Sequence, residues 1–193
     1  MKKIALGLVS LLVFSAAYAQ APTRVRGTIT ALNGDVLSIK DRGGKAVEIH
    51  LTPDAQVVTP KKVSAEEFQE GSYVGVTSVQ GPGGRLVAKR VHALGPQVPQ
   101  VHTNWDSMPN SMMTNANIAG IAKVSGGTEL TMKYKDGEQK ILTDAQTEYY
   151  NFDKGSRDDL KPGEQIFTGA QNKDGKLVTG RVVVSKNGVN PPQ

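Results

Sequence analysis

A strand pattern written twice governs what this chain can fold into. Residues 24–93 and 118–186 run through the same order of short alternating segments and turns, about ninety residues apart. Gly27 returns as Gly120 and Leu37 as Leu130. Asp54-Ala55-Gln56 returns as Asp144-Ala145-Gln146, and Gly71 as Gly163. Leu86-Val87 followed by Arg90-Val91 returns as Leu177-Val178 followed by Arg181-Val182. Two unrelated strand-rich stretches share periodicity, but not turns, signatures and order together, so the pattern reads as an internal duplication.

Within each copy the apolar residues recur every second position, which puts them on one face of an extended strand. Val25, Gly27 and Ile29 alternate with polar partners, as do Leu37 with Ile39 and Val47 with Ile49 and Leu51. Asn33-Gly34 is a favoured hairpin turn. Pro53 and Pro60 are expected to rule out a continuous central strand there. Ser64-Ala65-Glu66-Glu67-Phe68 has the form of a capping box opening one short helical turn, with Ser156 to Leu160 in the matching place. Glu66-Glu67 and Asp158-Asp159 suit the start of such turns.

Five short strands in about seventy residues suggest a small barrel, because closure hides strand edges. The expectation is an all-β chain of two tandem five-stranded OB-like barrels, each copy closing on its own apolar interior. A pair of small β-sandwiches is the alternative. The expected layout is a signal peptide over 1–19, a first β-domain over 24–93, a connector over 94–117, a second β-domain over 118–186 and a tail over 187–193.

The first nineteen residues set the compartment. Met1-Lys2-Lys3, an apolar run from Ile4 to Phe14, and Ala17-Tyr18-Ala19 form the three parts of a secretory leader, with cleavage expected after Ala19. The run falls short of the roughly 20 apolar residues that a spanning helix needs. The expectation is a periplasmic protein without a membrane span. Removing Lys2 and Lys3 from the 23 basic side chains leaves 21 against 18 acidic, a net +3 that points only weakly to an anionic partner. With no cysteine, disulfides and thiolate chemistry are excluded. Nucleophile elbows, zincin helices and phosphate-binding loops are also missing from the chain, so an enzyme is not expected.

The connector holds the only tryptophan, Trp105, together with His102, Met108, Met112 and Met113. Imidazole and thioether ligands suit monovalent copper, and an indole face can cover a cation. In ligand types this set is similar to the small periplasmic copper and silver chaperones of OB fold, although their ligands stand on barrel strands. The preferred reading is packing, since methionine fills irregular gaps between packed units. In the second half Tyr149, Tyr150 and Phe152 cluster beside one another and, with Trp105, form the candidate surface for a glycan or peptide. Nucleic acid is not expected outside the cytoplasm.

The Gly-Thr-Ile near the first start, the repeated Leu-Val-x-x-Arg-Val and the central Trp105-Asp106 with Ser111-Met112-Met113-Thr114-Asn115-Ala116 resemble a family of exported bacterial proteins with tandem OB-like domains. That resemblance implies a periplasmic β-protein with no assigned activity. The resulting expectation is a non-enzymatic binding or scaffolding protein of the cell envelope, with a soft-metal carrier and a glycan or peptide module as alternatives.

Overall fold

A computed structural model of the protein describes residues 22–191, so the leader and its cleavage point lie outside the described residues. The chain is all-β. Its strands are β1 (Thr23–Asn33), β2 (Val36–Asp41), β3 (Ala46–Lys62), β4 (Tyr73–Gln80), β5 (Leu86–Ala93), β6 (Val101–Trp105), β7 (Ser111–Val124), β8 (Gly127–Tyr134), β9 (Gly137–Thr143), β10 (Glu148–Lys154), β11 (Gln165–Lys173) and β12 (Lys176–Val184).

The pairings close into two rings. In the first, β1 lies between β2 and β11, and β12 joins β11 antiparallel and β3 parallel, giving a closed five-stranded barrel. In the second, β7 lies between β4 and β8, and β5 joins β4 antiparallel and β9 parallel. Each ring wraps a separate apolar cluster. Ile29, Leu37, Ile49 and Val182 meet inside the first, while Val74, Val91, Ile118 and Ile141 meet inside the second. All eight are at most 1% exposed, and each such side chain contributes roughly 1.5–3 kcal/mol by leaving water.

This arrangement corrects the expected self-closure of residues 24–93 and 118–186. Neither stretch closes a ring by itself. The β4–β5 hairpin of the first half closes the ring begun by β7–β9, and the β11–β12 hairpin of the second half closes the ring begun by β1–β3. The physical reason is a bridge in the middle of the sheet. The end of β3 pairs antiparallel with β10, from Tyr150↔Lys62 to Lys154↔Val58, and β10 pairs parallel with β5. That bridge satisfies backbone groups that self-closure would leave at exposed edges.

Three local expectations also change. The hairpin after β1 pairs Asn33 with Val36, so Gly34-Asp35 rather than Asn33-Gly34 makes the turn, and Gly34 takes the positive φ of 59°. β3 runs through both prolines. Pro53 falls in the gap between Leu51↔Thr179 and Gln56↔Arg181, where the ladder with β12 is interrupted. Pro60 lies past Val58, where β12 stops pairing and only β10 remains alongside. The expected helical turns are short 3-10 turns at Ala65–Glu67 and Arg157–Asp159. Ser64 makes no side-chain cap, whereas at the second turn the Ser156 amide donates to Asp159 Oδ2 at 2.9 Å.

Half of the connector 94–117 is strand. β6 and the first residues of β7 form a hairpin whose ladder runs from Val101↔Asn115 to Trp105↔Ser111. Ser111 ties its turn, donating to the carbonyls of Trp105 at 3.0 Å and Met108 at 2.8 Å.

Candidate functional site

The strand exchange brings the outer faces of the two rings together, and a cleft of about 490 Å³ opens between them. The first ring contributes Arg24 from β1, Phe167 to Gly169 from β11, and Arg181 and Val183 from β12. The second contributes His92 from β5 and Met113 and Asn115 from β7. Trp105 from β6, Phe152 from β10, and Leu94 and Val98 from the connector complete the wall. Alternation explains why these side chains face outward. Val74, Val76 and Val91 point into the second core, so Gly75 and His92 point away from it.

His92 is the most buried titratable group in the cleft wall. It is 9% exposed, stands edge-on to Phe152 with ring centroids 5.9 Å apart, and its Nδ1 has no hydrogen-bond partner. Burial pulls its pKa down to about 4, helped by the charges of Arg181 and Arg90, so the ring is neutral at neutral pH. Gly75 makes room for it, because a Cβ there would stand 2.6 Å from His92 Nε2. On the neighbouring strand the Asn115 amide donates from Nδ2 to the Pro99 carbonyl at 3.2 Å, which leaves Asn115 Oδ1 buried and unpartnered.

Trp105 is clasped by the protein's own cations. The guanidinium of Arg24 lies 4.0 Å from the indole centroid and that of Arg26 lies 5.3 Å away, while Phe167 meets the indole edge-on at 6.2 Å. Beside it Asp106 accepts a 2.8 Å hydrogen bond from Arg26 Nη1 and pairs with Arg24 at 3.7 Å. Burial works to raise the Asp106 pKa, but the Arg26 hydrogen bond and the two positive charges outweigh it and hold the carboxyl below its usual range. The hairpin tip is thereby anchored to β1. The indole N–H is buried without a partner.

Arg181 differs from its counterpart in the first half. Arg90 pairs with Glu148, Nε to Oε2 at 3.4 Å, and Glu148 is held below its usual range although burial opposes this, because Lys62, Tyr150 and Arg90 all surround it. Among the described residues no carboxylate pairs with Arg181. Its guanidinium lies 5.6 Å from the centroid of Phe152, its Nε is buried without a partner, and burial lowers its pKa.

The structure draws two of the four aromatic candidates into the cleft, Trp105 and Phe152. Tyr149 instead stacks on Phe68 at 6.0 Å beside the second core. Tyr150 is 4% exposed and donates its hydroxyl to Glu148 at 2.7 Å, and burial with that carboxylate pushes its pKa up to about 12. The His/Met set is spread over both faces of the hairpin. His102 lies opposite Thr114, with its Nδ1 2.9 Å from the Thr114 hydroxyl, and stacks on Tyr134 at 5.8 Å. Met112 shares that face by alternation, Met113 points the other way into the cleft, and Met108 sits in the turn.

Searches against family models, curated proteins and solved structures found no match. The geometry therefore carries the functional reading.

Sequence reasoning missed Phe167, Asn115 and Arg181 as site residues. One signal was present. Arg181 occupies the same place in Leu-Val-x-x-Arg-Val as Arg90, yet the residue two further on is valine rather than histidine. The copies thus diverge at the positions that line the cleft.

Proposed function

We propose that this chain is an exported, non-enzymatic binding protein of the cell envelope, built from two OB-like barrels that exchange their last two strands. Its ligand is a small molecule held in the cleft between them. Supporting export is the leader pattern of residues 1–19. Supporting OB-like topology is the order of each ring, in which the third and fifth strands pair parallel and the first and fourth antiparallel.

One observation carries the binding reading. The cleft falls within the 300–1,000 Å³ typical of small-molecule sites, its wall is mostly apolar and aromatic, and four of its residues hold a buried polar atom without a partner. Such atoms are costly to leave unpaired, and a ligand supplies partners. His92 stands among cationic and aromatic neighbours that keep its ring neutral.

Phenylnaphthylamine, a neutral aromatic probe, tests the site. Bound in the cleft it takes energy from Trp105, the chain's single tryptophan. Val98→Phe narrows the cleft from the connector side without touching either core, and is expected to weaken the probe about tenfold. Unchanged affinity in that variant would remove the cleft from the reading.

A further inference from the structure

We infer that the ligand of this cleft is an amphiphilic anion, an aromatic or aliphatic body carrying one carboxylate or similar oxyacid, with Arg181 as its counterion. This rests on the cleft reading above and goes beyond it by assigning charge.

The charges of the wall are one-sided. Arg24 and Arg181 line the cleft, and among the described residues no aspartate or glutamate does. Arg24 is already committed to Asp106 and to the face of Trp105. Arg181 has only the ring of Phe152, 5.6 Å away, and no carboxylate among the described residues, although its Nε is buried. A guanidinium with its Nε buried and unpartnered is completed by a carboxylate or other anion. Its planar fork is shaped for an oxyacid rather than for a dipole. The equivalent position in the first half makes the same point, because Arg90 has Glu148 beside it. Where the protein supplies a carboxylate at one copy, it leaves a cavity at the other.

The rest of the wall specifies the body of the ligand. Trp105, Phe167, Phe152 and Met113 offer flat and polarisable surface, and the indole N–H is a second unpartnered donor. His92 is uncharged at neutral pH, so it adds a dipole without attracting a second anionic group. A polyanion would leave charge against the apolar wall, and a cation would meet the guanidinium.

Anilinonaphthalene sulfonate and phenylnaphthylamine share one ring system and differ by the sulfonate, so they separate the two questions. Titrated into the full chain, with energy transfer from Trp105 as the locator, the sulfonate is expected to bind at least about tenfold tighter than the neutral probe. Its affinity should fall with added salt while that of the neutral probe holds, a readout that needs no variant. Arg181→Gln should bring the ratio of sulfonate to neutral-probe affinity close to one. Equal binding of both probes with energy transfer overturns the anion assignment and leaves the cleft reading standing. Binding of neither, or binding without energy transfer from Trp105, overturns both. Should Arg181→Gln fail to fold, the salt dependence of the wild-type chain decides alone.

Discussion

His92 is a neutral base held in a place where its charged form is disfavoured, and that has a consequence for stability. In the unfolded chain the imidazole titrates near 6.5, and in the folded chain near 4. Between these values the unfolded state binds more protons, so stability rises with pH across the window. The folded-state contribution is fully present above about 6.5 and is lost as pH falls toward 4. The shift corresponds to an upper bound on the order of 3 kcal/mol. Denaturant unfolding at neutral and mildly acidic pH should show this loss, and His92→Gln should flatten the difference. An unaltered pH slope in that variant would place the titrating group elsewhere. Gly75→Ala belongs to the same site. The added methyl meets His92 Nε2, so the ring must turn, and a melting temperature lowered by several degrees is expected together with weaker probe binding.

At the scale of elements, the β6–β7 hairpin forms one wall of the cleft. Its ladder with β7 is short, and its tip is fixed to β1 through Asp106, Arg24 and Arg26. Arg26 is 6% exposed, so removing its partner strands a buried charge, whereas Asp106 is half exposed and water partly replaces it. Asp106→Asn is therefore expected to cost about 1–3 kcal/mol, below the range for a fully buried pair. It should also loosen the hairpin, seen as a red shift of Trp105 emission and faster amide exchange over residues 101–105. The same hairpin decides how the methionines are disposed. Since Met112 and Met113 point to opposite faces, Met112→Leu with Met113→Leu is expected to leave any affinity for monovalent copper unchanged. A marked loss of copper binding in the double variant would restore the carrier reading.

At the scale of the molecule, each ring depends on strands from both halves of the chain, so neither half is a folding unit. Cleavage between Leu94 and Gln100 is expected to leave a nicked protein whose two pieces stay together in native buffer and part only in denaturant. Each piece alone should be unfolded or paired with a second copy of itself, because β4–β5 and β11–β12 would lack the rings that they close. A folded monomeric piece containing residues 22–93, detected by sedimentation and circular dichroism, would contradict this dependence. The many contacts between distant residues also point to slow folding relative to helical chains of this size.

Much of this was legible in the sequence, and the reasons are local. Alternation fixed which residues face a core, as at Leu37, Ile39 and Ile49, because the side-chain period of a strand is two whatever its partner. Glycines marked turns that need positive φ, as at Gly34, Gly71 and Gly163. The connector was harder to read, since its prolines and asparagines suggested a loop while residues 101–105 and 111–117 are strand.

What the sequence by itself determined, then, is the all-β character, the strand faces and the turns. Only the tertiary structure decided which hairpin closes which ring. The β4–β5 and β11–β12 hairpins share the Leu-Val-x-x-Arg-Val pattern, so that pattern does not select between the rings. The exchange goes together with the bridge of β3 with β10, which pairs residues 58–62 with 150–154 in the middle of the sheet. The cleft follows from that choice, because its walls come from strands far apart in the chain and no local pattern records that they meet.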